Sequence, residues 1–268
     1  MSELAIIFSD LHVHTYRAFN EDGRRLKNCI AVLDYVFKLA SANKIKYILM
    51  AGDLYNQMQI ISTEVVNAVI SCFKRNFEAN PDLQFIAISG NHDFYSKNLY
   101  GKYGGSGLQH LEEIFNQFHL LDYIDESITS VMYVTANGNI IEGLTYFEYP
   151  EHFIKAFEGT PETVPTTGKR ILLMHQVVAS GLPIEDHIQP DDPLFDRFDM
   201  IFNGHIHKSQ EVSDKFINVG SPLHRDQGDI GQKKGIWIVD LNDPQNTISF
   251  KDLTDMFPQF IQVEEGVD

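Results

Sequence analysis

The sequence predicts an α/β protein, because short apolar runs alternate with amphipathic helical patterns along the first half of the chain. Strands that alternate with helices pair in parallel through crossover connections, so we expect a largely parallel sheet. The 268 residues are 43% hydrophobic, which is enough to form a sizeable core.

The first 118 residues are predicted to form three strands and three helices. Apolar residues recur at helical spacing over residues 24–42, and Ser62-Thr63-Glu64 has the residue types that open a helix. A third helical pattern covers residues 108–118. Buried strands are predicted at residues 4–9, 47–51 and 84–89.

The second half of the chain is predicted to be richer in strands. Asn137-Gly138 lies between two apolar runs, which is a strong hairpin signal. Residues 158–168 are rich in Pro, Thr and Gly and are predicted to form a loop. Further strands are predicted at residues 170–174, 200–203, 216–219, 235–240 and 247–251. No repeat or linker is evident, so one domain is expected.

Composition narrows the class of protein. No apolar run approaches the roughly 18 residues of a membrane span, and the first residues have no basic leader, so we expect neither a membrane protein nor a signal peptide. The two cysteines, Cys29 and Cys72, lie in helical apolar patterns and are predicted to be free core thiols. These features favour a cytoplasmic protein.

The net charge of −16 constrains the partners. A protein that grips nucleic acid through phosphates usually has a basic face, and this chain cannot be basic over its whole surface. An acidic excess suits cation binding, although it more often reflects a solvated surface.

Five predicted strands end in residues that can ligate a metal. In open α/β sheets, sites form outside the carboxyl ends of strands. One histidine or aspartate after a strand is weak evidence, since an aspartate there usually belongs to a turn or a helix cap. The five together predict a site: Asp10 with His12, Asp53, Asn91 with His92, His175, and His205 with His207.

The residue types indicate the chemistry of that site. Mixed oxygen and nitrogen ligands suit manganese, iron or zinc more than calcium. The absence of cysteine ligands argues against a closed structural zinc site. Two neighbouring ions need a bridging carboxylate and open positions for a water and a phosphate.

In their order, these motifs resemble those of the calcineurin-like metallophosphoesterases, from about residue 4 to residue 240. The resemblance implies a four-layer αββα sandwich of two mixed β-sheets, formed by residues 1–252. It also implies two divalent ions, Mn²⁺ first among them. One ion is held by Asp10, His12, Asp53 and His207, and the other by Asp53, Asn91, His175 and His205. By the same resemblance, His92 protonates the leaving oxygen after a bridging hydroxide attacks phosphorus, and Asp93 supports His92.

Within the family, Gly52-Asp53-Leu54-Tyr55 resembles the SbcD-type DNA repair nucleases. The segment Val219-Gly220-Ser221-Pro222-Leu223, followed by Lys233-Lys234-Gly235, agrees with that branch. The resemblance implies a DNA exonuclease or endonuclease, a phage-encoded origin, an SbcC-type ATPase partner and a homodimer.

Two departures bear on DNA handling. SbcD-type nucleases commonly have a phosphate-contacting histidine where this chain has Asn56, and His14 is a candidate substitute. Residues 253–268 are expected to form only a short tail, with the DNA-capping domain of the family largely absent.

Alternatives remain beside the nuclease. The chain could be a small-molecule nucleotide phosphodiesterase, or a regulatory subunit with a retained metal site, although a complete ligand set argues against a decayed one. Tyrosines and lysines in residues 95–103 could grip a single strand or could pack as an ordinary loop. Surface positions are expected for the histidines outside the motifs: His110, His119, His152, His187 and His224.

Overall fold

The computed structural model describes residues 2–15, 23–56, 61–94, 105–122, 131–159, 166–178 and 188–261. Within these ranges the chain forms two six-stranded mixed sheets with helices outside them, which confirms the αββα sandwich. The helices are α1 (Arg24–Ala42), α2 (Thr63–Ala79), α3 (Gln109–Ile114), α4 (Pro150–Glu158) and α5 (Pro244–Thr247). Short 3-10 turns lie at Pro193–Arg197, Gln227–Asp229 and Thr254–Met256.

The first sheet has the strand order β12-β11-β1-β2-β3-β4. Strands β1 to β4 run parallel, as the strand–helix alternation predicts, while β11 and β12 are antiparallel additions. The strands are β1 (Leu4–Phe8), β2 (Tyr47–Ala51), β3 (Gln84–Ile88), β4 (Phe118–Leu120), β11 (Gly235–Asp240) and β12 (Ser249–Asp252).

The second sheet has the order β5-β6-β7-β8-β10-β9. Its first two strands form the hairpin that Asn137-Gly138 predicts, and Gly138 there has a φ of 82°. The strands are β5 (Val131–Val134), β6 (Ile140–Leu144), β7 (Arg170–Met174), β8 (Met200–Asn203), β9 (Gln210–Ser213) and β10 (Phe216–Asn218).

Strand β1 shows how the layers are held together. Successive side chains of a strand point to opposite faces, so Ala5 and Ile7 enter the core between the two sheets, whereas Ile6 and Phe8 pack under the helices. All four are fully buried. A third core joins the second sheet to α4 and to the 3-10 turn at residues 193–197.

Helix α2 begins where the sequence predicts, after a serine that caps its first turn. The Ser62 hydroxyl accepts a hydrogen bond from the backbone N–H of Val65 at 3.3 Å and so caps α2. Cys29 on α1 and Cys72 on α2 are buried free thiols, as predicted. Among the described residues, no helix combines the length and apolar character needed to span a bilayer.

The helix predicted over residues 108–118 is too long. Helix α3 ends at Ile114, and Phe118 begins the edge strand β4. Phe115 and Phe118 are three residues apart, which is a helical spacing, but Phe118 stacks on Phe85 of β3 with 5.3 Å between ring centroids. Packing against the sheet therefore overrides the local pattern.

Candidate metal centre

The carboxyl ends of the central strands of both sheets meet at one edge of the sandwich. The first sheet supplies residues that follow β1, β2 and β3, and the second supplies residues that follow β7 and β8. All seven predicted metal ligands converge there: Asp10, His12, Asp53, Asn91, His175, His205 and His207.

The backbone at this edge is held in an uncommon conformation. Positive φ angles occur at Asp10 (54°), His12 (49°), Asp53 (57°) and His205 (71°), and Lys44 is the only other non-glycine residue with one among the described ranges. Such conformations cost energy and persist where the surrounding structure enforces them. The turns therefore serve to aim these four side chains.

Glycines allow the strand ends to approach closely. A Cβ atom on Gly90 would lie 2.2 Å from Asp53 Oδ1, and one on Gly204 would lie 2.1 Å from the Ala51 carbonyl oxygen. Both distances are far inside van der Waals contact, so only glycine fits. These glycines of the G-N-H-D and G-H-x-H motifs are thus required by the packing of the site.

One cluster of possible ligands forms around Asp10. Its Oδ1 lies 3.5 Å from His207 Nε2 and 3.7 Å from His12 Nε2. Its Oδ2 is already occupied, since it accepts hydrogen bonds from the Ser9 hydroxyl and from the backbone N–H of His205. Oδ1 is therefore the oxygen that remains for a cation.

The second cluster forms around Asn91. Its Oδ1 lies 3.2 Å from His175 Nε2 and 3.0 Å from His205 Nδ1. The other ring nitrogen of His175, Nδ1, is 2.7 Å from the Ala51 carbonyl oxygen. A carbonyl only accepts, so Nδ1 has the hydrogen and Nε2 of the neutral ring offers its lone pair to the cluster.

Asp53 connects the two clusters through a single oxygen. Its Oδ2 lies 3.4 Å from His12 Nε2 and 3.5 Å from His175 Nε2. Its Oδ1 faces away and accepts the backbone N–H of His92 at 2.8 Å. Asp53 Oδ2 therefore faces one histidine of each cluster, which is the position that the family resemblance implies for a bridging ligand.

Two observations indicate that these residues fit two cations: the distances between the candidate ligand atoms, and buried polar atoms that have no hydrogen-bond partner among the described residues. Ligands about 2.1 Å from one ion lie roughly 3.0–3.4 Å apart at tetrahedral or octahedral angles, close to the separations in both clusters. Among the residues that the structure describes, Asp10 Oδ1 and His12 Nδ1 are buried without a hydrogen-bond partner, which is uncommon in folded proteins. For Asp10 Oδ1, a cation among its neighbours would supply the missing partner.

At three of the candidate ligands, His12, His205 and Asp53, the electrostatics favour the protonation state that binds a metal ion. Burial lowers the pKa of His12 and of His205 to about 4, which keeps both rings neutral at pH 7. Although burial opposes its charge, the pKa of Asp53 lies well below its usual range because His175 and His12 are beside it. Burial likewise opposes charge on His175, but Asp53 raises its pKa to about 9. Without a metal ion, His175 therefore holds a proton on Nε2, the nitrogen that faces Asp53, and a metal ion that binds this nitrogen must displace the proton.

His92 and Asp93 have separate places in the site. The His92 ring is 4.8 Å from that of His12, and its Nδ1 lies 2.9 Å from the Asn56 carbonyl oxygen. His92 is thus oriented by a backbone carbonyl rather than by Asp93. The Asp93 carboxylate instead accepts the backbone N–H groups of Asp53, Leu54, Tyr55 and Gly90 at 2.7–3.3 Å.

Asp93 therefore fastens the loop after β2 to the loop after β3. Burial and the neighbouring Asp53 charge raise its pKa to about 8, while the hydrogen bonds from Tyr55 and Gly90 favour its ionised form. Its support of the site acts through the backbone of Asp53.

Sequence reasoning missed Arg225. Its Nη1 lies 2.7 Å from His207 Nε2 and 3.1 Å from His12 Nε2, and its Nη2 is 3.4 Å from Asn56 Oδ1. The positive charge beside Asn56 thus comes from this arginine. An available signal was one basic residue just after Gly220-Ser221-Pro222 in a chain of net charge −16.

The candidate substitute for Asn56, His14, is half-buried near the site. Burial, together with the charges of Arg25 and Arg225, lowers its pKa to about 4, so at neutral pH it contributes no positive charge. It can act there only as a neutral hydrogen-bonding group.

The surface position expected for His224 is wrong. His224 is 3% exposed, with Nε2 3.2 Å from the Gln232 carbonyl and Nδ1 accepting the Phe260 N–H. His152 is exposed, and His110 and His119 are half-buried. His187, residues 95–104 and residues 262–268 lie outside the described residues.

Two ligand clusters that share one carboxylate oxygen, at the strand ends of a two-sheet sandwich, are the arrangement of a two-metal hydrolase. A sequence model of the calcineurin-like phosphoesterases matches residues 5–209. The chain belongs to this family. It is also similar to the crystal structure of a dimetal phosphatase from Danio rerio, with a TM-score of 0.53, 10% sequence identity, and coverage of 93% of this chain and 98% of that chain. At this identity the likeness supports the fold alone.

Proposed function

We propose that this chain is a metal-dependent phosphodiesterase that cleaves DNA, as an exonuclease or endonuclease of the SbcD type. The observation that supports hydrolysis is the position of Asp53 Oδ2, which lies 3.4–3.5 Å from one histidine nitrogen of each ligand cluster. Two divalent ions, with Mn²⁺ the first to test, would offset phosphate charge and lower the pKa of a water.

The chain's own residues supply the remaining steps. His92 faces the site between His12 and Asn56. Because Nδ1 donates to the Asn56 carbonyl, Nε2 is the nitrogen that delivers a proton to the leaving oxygen. Asp93 keeps Asp53 and His92 in register by binding the backbone of both loops.

Support for the nuclease branch comes from the segment that follows Val219. Lys234 of the Lys-Lys-Gly element donates to the His207 carbonyl at 2.9 Å and to the Ser221 hydroxyl at 3.0 Å. The two sequence elements that resemble SbcD-type nucleases therefore contact each other and the metal centre. We propose an SbcC-type ATPase or a second copy of the chain as the partner that supplies further DNA-binding surface.

A second candidate function is hydrolysis of small nucleotide phosphodiesters. The net charge of −16 and the neutral amide of Asn56 favour a substrate with few phosphates. The ligand set is complete in space, which favours either enzyme over a regulatory subunit.

One assay separates these functions. The chain with Mn²⁺ is given a DNA hairpin, a single strand, a cyclic mononucleotide and a nitrophenyl phosphodiester, and Asp53→Asn is the inactive control. A nuclease cuts the DNA substrates at higher kcat/KM than the cyclic mononucleotide, and the reverse order indicates the small-molecule enzyme. No turnover of any substrate by metal-loaded protein would contradict the proposal.

A further inference from the structure

Arg225 holds a positive charge against the metal ligands themselves. Its Nη1 contacts His207 and His12, and Nη2 reaches Asn56. Within the described residues, no carboxylate lies at ion-pair distance from this guanidinium, and Asp10, Asp53 and Asp226 act on it only at longer range. A half-buried arginine whose neighbours are two histidine rings and an amide lacks the anion that its planar fork normally binds.

A buried network fixes this arginine in place. The backbone N–H of Arg225 donates to Asp229 Oδ2 at 2.7 Å, and Asp229 Oδ1 lies 2.6 Å from Lys234 Nζ. Lys234 is 1% exposed and also donates to the His207 carbonyl. One lysine–aspartate pair therefore positions both Arg225 and His207, which a surface arginine without a role would not need.

Arg225 and His92 both contact Asn56, and so lie on either side of the same part of the site. The Asn56 carbonyl holds the His92 ring, and the Asn56 side-chain oxygen accepts from Arg225. A phosphodiester whose leaving oxygen faces His92 is therefore within reach of the Arg225 guanidinium. We propose that Arg225 binds the non-bridging phosphate oxygens of the substrate beside the metal centre, an inference that rests on the proposed phosphodiesterase function.

This position also couples the anion to the cations. His207 Nε2 has one lone pair, so the guanidinium that lies 2.7 Å from it must withdraw before a cation binds this nitrogen, and its charge then repels the cation. A phosphate between them attracts both, so phosphate and metal favour each other's binding, and the coupling is reciprocal. A substitution that removes the positive charge of Arg225 should weaken phosphate binding without weakening metal binding.

The test uses inorganic phosphate and Mn²⁺ as separate calorimetric titrants. Phosphate is titrated into metal-loaded protein, and Mn²⁺ into chelator-treated protein, for Arg225→Gln, Arg225→Lys and the parent. Lys233→Gln is the matched control, because its side chain is 79% exposed and forms an ion pair with Asp252 at the surface. We expect Arg225→Gln to weaken phosphate binding roughly tenfold, Arg225→Lys to lose less, and Lys233→Gln to match the parent.

Manganese affinity of Arg225→Gln should equal or exceed that of the parent. An unchanged phosphate affinity in Arg225→Gln, or no phosphate binding by the parent, would overturn the inference. Loss of manganese binding in both arginine variants would also overturn it, since Arg225 would then be a structural support. If phosphate binding depends on Arg225 while no phosphodiester is cleaved, this inference stands and the proposed function fails.

Discussion

At the scale of single residues, Asp53 is the side chain that both ligand clusters share. In Asp53→Asn an amide replaces the oxygen that faces His12 and His175, so the shared negative charge is lost. We expect the parent to hold about two metal ions per chain and the variant to hold fewer. Turnover by the variant should be abolished, because the change is electrostatic and local.

Elemental analysis, circular dichroism and turnover of a nitrophenyl phosphodiester measure this prediction. Asp196→Asn, at a side chain that is 79% exposed, is the matched control and should behave as the parent. Full activity of the parent after complete chelation would contradict the metal assignment itself.

His92 is predicted to act on the leaving group. Its ring lies close to His12 and Asp53, near enough to be a ligand by distance alone, so the experiment must separate the two roles. His92→Ala should lower turnover of a DNA substrate by roughly 10²–10⁴-fold and leave the metal content unchanged. The deficit should shrink for a nitrophenyl ester, whose leaving group needs little protonation.

Steady-state kinetics on both substrates, with metal analysis, checks that prediction. His152→Ala removes an exposed histidine on α4 and serves as the control. Loss of bound metal in His92→Ala would make His92 a ligand, and an equal loss of rate on both substrates would exclude the general-acid role.

At the scale of elements, the close approach of the loops after β2 and β3 depends on Gly90. A methyl group there would meet Asp53 Oδ1 at 2.2 Å. We expect Gly90→Ala to displace Asp53 and to lose metal at one or both positions, as measured by calorimetric titration with Mn²⁺. Gly231→Ala is the control, because Gly231 has a φ of 77° but open space around it. It should cost about 1–2 kcal/mol of stability and retain metal binding.

Asp122 gives the loop after β3 a predicted pH dependence. Its carboxylate accepts the N–H of Ser89 at 2.7 Å and the Ser89 hydroxyl at 2.5 Å, and burial raises its pKa from 3.8 to about 6. Between these values the folded state keeps a proton that the unfolded state releases, so the contribution of Asp122 to stability falls as pH rises from about 4 to 6.

In Asp122→Asn no carboxyl group titrates at this position, so the loss of stability between about pH 4 and pH 6 disappears. The stability of the variant relative to the parent should therefore increase by up to about 3 kcal/mol between pH 4 and pH 7. Chemical denaturation of chelated protein at several pH values measures the difference. Chelation removes metal binding, and the titration of the candidate ligands is common to both proteins and cancels in the difference. A difference that stays constant with pH would show that Asp122 does not titrate in this range.

The elements that the sequence predicted well are those whose pattern is set locally. Strands β1, β2 and β3 are apolar runs buried on both faces, and a candidate ligand follows the end of each within three residues. Strand β4 and helix α4 were missed because their state depends on what they pack against. Phe118 stacks on Phe85, and Phe153 and Phe157 of α4 fill a core with the second sheet.

In the candidate site, too, the sequence predicts some residues and misses others. The convergence of the seven candidate ligands was predictable because each lies within four residues of a strand end and the edge of the sandwich gathers those ends. Arg225 was not, because its side chain reaches His12, which is 213 positions away in sequence, from a segment held by Lys234 and Asp229. No periodicity encodes that reach.

At the scale of the whole molecule, charge decides how DNA could bind. The chain has 21 basic and 37 acidic residues and a net charge of −16, so a duplex is repelled over most of the surface. Attraction is expected at the metal centre and at nearby cations such as Arg225 and Arg25, both of which lower the pKa of His14. The proposed homodimer or ATPase partner would add DNA-binding surface to that of the single chain.

We therefore predict that the isolated chain binds duplex DNA weakly and cuts short or single-stranded ends best. Non-specific affinity comes mainly from counterion release, and the logarithm of the binding constant falls by about 0.9 per phosphate neutralised for each tenfold rise in salt. With few cations at the site, binding should be weak even at low salt and should be lost at physiological salt. Gel-shift titrations at two salt concentrations, on a duplex and on a single strand of equal length, measure this. Tight duplex binding by the monomer at physiological salt would show that a basic surface exists outside the metal centre.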